Sequence, residues 1–82
     1  MKLKELTEAI ILKLVKNTEA VSVEENEEDN QIIIKAYVSN DDMGRVIGKD
    51  GKIINSIRTI LQASSYMQNN INVKLNVLEK KD

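Results

Sequence analysis

Two glycines, Gly48 and Gly51, enclose the segment of this chain whose residue types most clearly suggest chemistry. A helix that starts just after Gly51 leaves backbone N–H groups without partners, and these point into the turn together with the positive end of the helix dipole. The glycines let the backbone of an extended ligand approach closely. Lys49 and Lys52 add positive charge, and Arg45 lies about one helical turn before Gly48. The spacing therefore predicts a site for a phosphate-like anion.

An acid lies inside this otherwise anion-friendly turn. Asp50 puts a negative charge beside the expected path of a phosphate, next to Lys49, which partly offsets it. At a solvent-exposed site the cost of that charge is about 1 kcal/mol or less. The same side chain has a second possible role, as a cap for the helix that follows. We therefore expect Asp50 to weaken anion binding without abolishing it.

The composition excludes several kinds of catalytic site. The chain has no cysteine and no histidine, which removes Ser-His-Asp and Cys-His systems and the zinc sites built from these residues. Residues 44–49 resemble a mononucleotide P-loop, but the glycine spacing is one residue short and Asp50 replaces the magnesium-binding hydroxyl. Asp41 and Asp42 suit helix capping better than acid–base chemistry. The acids of residues 26–30 lack calcium-loop spacing. We predict no enzyme activity, no cofactor and no metal.

The length and charge of the chain limit the number of domains, the location of the protein and the partners it can bind. The 82 residues predict a single domain spanning 1–82. The absence of a long apolar run, a secretory signal and cysteines favours a cytoplasmic protein without a membrane partner. A net charge of −1 argues against indiscriminate binding of nucleic acid. The charge is nevertheless partitioned, since residues 19–29 hold six acids and no base, whereas residues 45–58 hold four bases and one acid.

Hydrophobic periodicity predicts six elements in the order α-β-β-α-α-β. The predicted bounds are 2–16 for the first helix, 20–25 and 31–38 for two strands, a short helix capped by 39–42 and ending at Ile47, a long helix from just after Gly51 to about Met67, and a strand over 71–77. The first two strands should pair antiparallel through an acidic hairpin tip at about 25–30. The last strand crosses over two helices, which favours parallel pairing with the second.

These elements predict an α+β fold, a three-stranded sheet with three helices packed on one face. On the long helix, Asn55, Arg58, Thr59 and Gln62 are expected to face away from the core. A charged tail should occupy residues 79–82.

The flanks of the glycine turn carry a resemblance. The run Val46-Ile47-Gly48-x-x-Gly51-x-x-Ile54-x-x-Ile57 resembles the signature of the KH domain, whose G-x-x-G loop clamps the backbone of single-stranded nucleic acid. The order of elements resembles the type II KH fold over nearly the whole chain. The length and the phrase Asp42-Met43-Gly44-Arg45-Val46-Ile47-Gly48-Lys49 are similar to the KhpA (YlqC) family of small bacterial RNA-binding proteins.

This resemblance implies a binding site for short stretches of single-stranded RNA. The implied backbone clamp consists of Gly48, Lys49, Asp50 and Gly51. The candidates for an aliphatic groove that receives the bases are Met43, Val46, Ile47 and Ile54, and the charged neighbours are Arg45, Lys52 and Arg58. Simple core packing would also explain the apolar residues, and for Ile54 and Ile57 we take it as the primary role. Nothing in the sequence reads a 2′-hydroxyl, so the preference for RNA over DNA rests on the resemblance.

The resemblance also implies partners and a cellular role. It implies a homodimer, or a complex with the larger KH-containing partner called KhpB, and a role as an RNA chaperone or post-transcriptional regulator. A DNA-reading helix-turn-helix is a further possibility for the glycine turn, but the surrounding strands suit that class poorly. The alternative from another class is a protein-interaction or dimerisation subunit with a vestigial clamp. The overall acidity, Asp50, and Leu12 on a polar helix face favour it, whereas Lys49 argues against a vestigial loop.

Overall fold

The computed structural model describes residues 3–68 and 71–80, with the side chain of Gln68 left aside. The elements are α1 (Leu3–Leu14), β1 (Ser22–Glu28), β2 (Gln31–Val38), α2 (Met43–Ile47), α3 (Lys52–Gln68) and β3 (Asn72–Glu79), with short 3₁₀ turns at Thr18–Ala20, Asn40–Asp42 and Lys49–Gly51. The order α-β-β-α-α-β is as predicted. In the described part of the chain, no helix combines the length and the apolar character needed to span a bilayer.

The sheet has the predicted topology. Its strand order is β1-β2-β3, with β1 antiparallel and β3 parallel to the central strand β2. Alternate residues of β2 are buried against the helices, because successive strand side chains point to opposite faces. The buried set on β2 is Ile32, Ile34, Ala36 and Val38. Ile11 of α1, Val46 of α2 and Leu61 of α3 complete the same core and are fully buried, so α2 rests directly on the sheet.

The hairpin between β1 and β2 is tighter than the sequence predicted. The expected five-residue acidic link is wrong, because β1 continues to Glu28, which pairs with Gln31. The turn consists of Asp29 and Asn30, with φ of 46° and 62°. Two central residues at positive φ match the type I′ geometry that suits the twist of a two-residue hairpin, and Asp and Asn tolerate it. Turn chemistry, rather than the run of acids, therefore sets the end of the strand.

The free edge of β3 is covered by side chains of α3. The Nε and Nη2 atoms of Arg58 donate to the Leu75 carbonyl at 3.3 and 3.0 Å. The Gln62 side chain donates to the Ile71 carbonyl at 3.0 Å and accepts from the Val73 N–H at 3.0 Å. Arg58 is exposed, as predicted, and Gln62 is half-buried, but the sequence did not predict that both side chains bind the sheet edge. An edge strand presents unpaired backbone groups, and these two side chains satisfy several of them.

The C-terminal charges begin inside the sheet. Glu79 is the last residue of β3, and the backbone N–H of Lys80 donates to the Val38 carbonyl at 2.8 Å. The predicted tail over 79–82 therefore starts later than expected, because parallel pairing with β2 extends to Glu79. Residues 81–82 lie outside the described part of the chain.

Candidate nucleic-acid interface

The turn between α2 and α3, residues 48–51, is here called the GxxG turn. Gly48 ends α2 with φ 77° and ψ 173°, and its N–H donates to the Gly44 carbonyl at 2.9 Å. The Gly51 N–H closes the turn by donating to the Gly48 carbonyl at 3.2 Å, and α3 begins at Lys52. Gly51 also has positive φ, at 76°. The prediction that Gly48 stops the short helix in a positive-φ conformation is confirmed.

The two glycines are required for different reasons. A Cβ on Gly48 would lie 2.5 Å from Cγ1 and 2.9 Å from Cβ of Ile53, so this position needs both the positive φ and the missing side chain. At Gly51 the nearest atom to a Cβ would be Nδ2 of Asn55 at 3.7 Å, an ordinary contact. Only its φ of 76° restricts that position to glycine. Close packing of Ile53 on Gly48 therefore fixes how α3 leaves the turn.

Asp50 takes up a left-handed backbone conformation, with φ 56° and ψ 24°. Asp and Asn are the non-glycine residues that adopt this region most readily. The sequence alone did not reveal this conformational reason for an acid inside the turn. Among the described residues no side-chain hydrogen bond to the exposed Asp50 carboxylate is found, so the suggested cap on α3 is not formed. The acid is explained by backbone shape and stays exposed beside Lys49.

The predicted cations divide into two groups. Lys49 and Lys52 are exposed at the GxxG turn and the start of α3. Arg45, expected on the same side as the turn, instead donates from Nη1 to the Asp41 carbonyl at 2.9 Å and to Oδ1 of Asp42 at 3.2 Å. Its guanidinium is therefore held at the opposite end of α2 from the GxxG turn. Arg58 is likewise engaged with the edge of β3.

Asp42 lies at the start of α2 and is fully buried. Its Oδ1 accepts from the Lys16 N–H at 3.1 Å, and its Oδ2 accepts from the Asn17 N–H and the Ser39 hydroxyl, each at 3.0 Å. The predicted cap on its own helix is wrong, because the side chain forms no cap hydrogen bond there. These backbone donors, assisted by Ser39 and the Arg45 guanidinium, hold the pKa of Asp42 below its ordinary value of 3.8, against the opposing effect of burial.

The four aliphatic groove candidates also divide. Val46 and Ile54 are buried, at 0 % and 8 % exposure, and belong to the core together with Ile57. Core packing as the primary role of Ile54 and Ile57 is what the sequence predicted. Met43 and Ile47 are partly exposed and pack against the same core, so they are the two that face both the core and the surface of α2. Ile53 packs closely on Gly48, and no spacing in the sequence predicted that contact.

The sequence matches a known protein family over most of its length. The pattern described as "KhpA/KhpB, KH domain" matches residues 4–77. This chain belongs to the KhpA/KhpB family of KH domains. A protein named RNA-binding protein KhpA from Clostridium perfringens is 43 % identical over 67 residues, covering 82 % of this chain and 89 % of the relative. Another protein of that name, from Chlamydia pneumoniae, is 38 % identical over 79 residues, covering 96 % of this chain and 100 % of the relative.

Solved structures confirm the type II KH fold. A structure of Era in complex with MgGDPNP and nucleotides 1506–1542 of 16S ribosomal RNA superposes on this KH domain with a TM-score of 0.65 at 20 % identity. The match covers 95 % of this chain and 30 % of the Era chain. A structure of Aquifex aeolicus Era bound to GDP and AlF4⁻ gives a TM-score of 0.63 at 19 % identity, again over 30 % of Era. At these identities the likeness concerns the fold.

Proposed function

We propose that this KH domain is a non-catalytic, cytoplasmic RNA-binding protein whose GxxG turn holds the backbone of short single-stranded RNA. The observation that carries the proposal is the turn itself, exposed, with both glycines at positive φ and α3 starting at Lys52. The N–H groups at the start of α3 and the two flanking lysines suit phosphate oxygens. The relatives from Clostridium perfringens and Chlamydia pneumoniae are named RNA-binding proteins, which supports the same ligand.

The bases would lie along α2, next to the partly exposed side chains of Met43 and Ile47. Val46 and Ile54 lie beneath this surface in the core. Because they are buried, they would shape the surface without contacting the bases themselves. Arg45 would reach a phosphate only after leaving Asp42, and Arg58 only after leaving the Leu75 carbonyl. We therefore assign the first electrostatic contact to Lys49 and Lys52, with the two arginines as secondary contacts.

A site of this size predicts weak binding. Few phosphates can be contacted by one turn, and Asp50 opposes one of them. Binding of two copies, or association with a larger KhpB-like protein, would raise the overall affinity because the second contact becomes intramolecular. Weak, adaptable binding of this kind suits an RNA chaperone or post-transcriptional regulator, which is the cellular role we propose.

The clamp is tested by titrating short single-stranded RNA into wild type, Lys49→Asp and Lys13→Asp at two salt concentrations. Lys13 is an exposed lysine in the last turn of α1, so its substitution makes the same change in net charge away from the GxxG turn. We expect Lys49→Asp to reduce affinity at least about tenfold, since it removes one phosphate contact and adds repulsion. Lys13→Asp should change it less than about twofold. Equal RNA affinities of wild type and Lys49→Asp, with both proteins folded, would contradict the proposal that the GxxG turn binds the RNA backbone.

Self-association is a second candidate function, because one face of α3 remains apolar and uncovered. Ile60 and Met67 lie seven residues apart on this helix and are 47 % and 88 % exposed. Leu12, the residue that suggested a partner contact in the sequence, is 38 % exposed on α1. We expect sedimentation at high protein concentration to give a dimer mass for wild type and a monomer mass for Ile60→Asp. A monomer mass for wild type would exclude a homodimer and leave association with a KhpB-like partner.

A further inference from the structure

The face of the sheet opposite the helices carries side chains with nucleic-acid-binding chemistry. The residues of β2 that alternate with its buried positions point to this face and are partly exposed. Parallel pairing places an outward residue of β3 beside each of them. The resulting cross-strand pairs are Tyr37 with Leu78, Lys35 with Asn76, and Ile33 with Lys74. One aromatic ring, two lysines and an amide thus share the surface of two neighbouring strands.

Tyr37 has room beside its ring for a flat ligand. A cleft of about 370 Å³ opens next to it, lined also by Ser22, Glu79 and Lys80. Its neighbour Leu78 is 38 % exposed, so the ring and the leucine form a small apolar platform at one end of the face. Stacking of nucleobases on aromatic rings is the usual contact of proteins with single strands, and it tolerates any base.

Two outward positions of β3 hold asparagine, a residue type that β-strands disfavour, and this choice suggests a binding role. Asn72 and Asn76 are both exposed on this strand, although Asn is among the residues least favoured in β-strands. Positions that break a local rule without a packing gain are expected at functional sites. An Asn amide offers both a donor and an acceptor to a base edge. Lys74 lies between the two amides and carries a positive charge of the kind that suits a phosphate.

The charges on the open face favour a nucleic acid over a protein partner. The outward positions of β2 and β3 hold Lys35 and Lys74, whereas the outward acids Glu24 and Glu28 lie on β1. At the end of β3, Glu79 lines the Tyr37 cleft together with Lys80, and its carboxylate accepts a hydrogen bond from the Asn40 amide. Glu24 is paired across the strands with Lys35, so the uncompensated positive charge lies on β3. The Lys35–Asn76 pair also separates Ile33 from the apolar Tyr37–Leu78 pair. A protein partner would favour one continuous apolar patch, which this face does not offer.

We propose that the open face of β2 and β3 is a second contact surface for single-stranded RNA, with Tyr37 stacking on a base and Lys74 contacting a phosphate. This inference rests on the proposed function, because it extends the path of the RNA held by the GxxG turn. β3 is an edge strand that contacts both α2 and α3, so a chain leaving the turn reaches the open face around that edge. Short RNA would occupy the GxxG turn alone, whereas longer RNA would occupy both surfaces.

The test compares an RNA of about four nucleotides, the length a KH clamp holds, with one of roughly 12 nucleotides. We expect Lys74→Glu and Asn76→Ala, both at exposed positions, to weaken binding of the longer RNA about fivefold in combination and to leave the short RNA unchanged. Lys13→Glu is the charge-matched control on α1, expected to alter neither. Lys49→Asp should weaken binding of both RNAs.

If wild type and the double variant bind the longer RNA equally, the open face is excluded as an RNA contact, while the proposal for the GxxG turn is unaffected. If wild type binds neither RNA, both proposals fail.

Tyrosine fluorescence gives an independent readout, since Tyr37 and Tyr66 are the two aromatic residues of the chain. Tyr66 is 54 % exposed on α3, so Tyr66→Phe should fold normally and leave Tyr37 as the single emitter. We expect the longer RNA to quench this emission through stacking and the short RNA to leave it unchanged. An emission that the longer RNA does not change at saturation would overturn the assignment of Tyr37.

Discussion

The two ends of the five-residue helix α2 are held in opposite ways. At its start, the buried carboxylate of Asp42 binds backbone N–H groups 25 and 26 residues away in the chain. At its end, the exposed GxxG turn is closed by backbone hydrogen bonds from Gly48 and Gly51 to residues three or four positions earlier. One end is therefore fixed by distant parts of the chain, and the other by its own sequence. The difference places a locally defined, accessible turn at one end of a helix whose other end is anchored by distant residues.

The largest effect is expected from Gly48→Ala. The new Cβ would meet the branched side chain of Ile53 at 2.5 Å and hold a non-glycine residue at φ 77°. Strain and overpacking together should lower the free energy of unfolding by about 2–4 kcal/mol, measured by urea denaturation. Gly51→Ala, which meets nothing closer than 3.7 Å, should cost about half as much because only its φ is strained.

Gly44 supplies the matched control for these variants. It lies inside α2, and a Cβ there would meet nothing within 4 Å. Gly44→Ala should therefore keep or raise stability, by up to about 1 kcal/mol, because alanine favours the helix. A destabilisation of Gly44→Ala as large as that of Gly48→Ala would show that α2 tolerates no added side chain. The contrast between the two ends of the helix would then be lost.

The opposite end of α2 is tested by Asp42→Asn. Lys16 and Asn17 donate to different oxygens of Asp42, so an amide, with a single oxygen, leaves one of these N–H groups facing a donor. We expect the melting temperature at pH 7 to fall by at least about 5 °C. Asp41→Asn, an exposed neighbour, is the control and should shift it by less than about 2 °C.

The same variant should flatten the dependence of stability on pH. The pKa of Asp42 in the folded protein lies below its ordinary value of 3.8, so the folded state binds fewer protons than the unfolded state. Its contribution is complete above pH 3.8 and is lost as the pH falls through the lowered pKa. The difference in melting temperature between wild type and Asp42→Asn should therefore narrow below about pH 4. A constant difference from pH 7 to pH 2 would show that the charge of Asp42 is not involved.

The contrast between the two ends of α2 also explains which features could be read from the sequence. Element order, strand pairing and the role of Gly48 follow from periodicity and local backbone chemistry, and all three were predicted. The partners of Asp42 and Arg58 were missed, because they lie 17 to 26 residues away and no spacing along the chain reveals them. The left-handed conformation of Asp50 was a local feature, and its residue type next to Gly51 was the signal that could have indicated it.

The smallest expected effect concerns the charge of Asp50 rather than its shape. Asn tolerates the left-handed conformation as well as Asp does, so Asp50→Asn should keep the GxxG turn and the melting temperature. Removing a negative charge beside the proposed phosphate path should raise RNA affinity, by about fivefold at most. Asp29→Asn is a close control, because Asp29 is also an acid at positive φ, in the hairpin turn, and its substitution should leave affinity unchanged. Equal gains from both variants would mean that net charge alone governs binding. A gain confined to Asp50 would mean that the phosphate passes the GxxG turn, because only there does the lost charge lie next to the RNA.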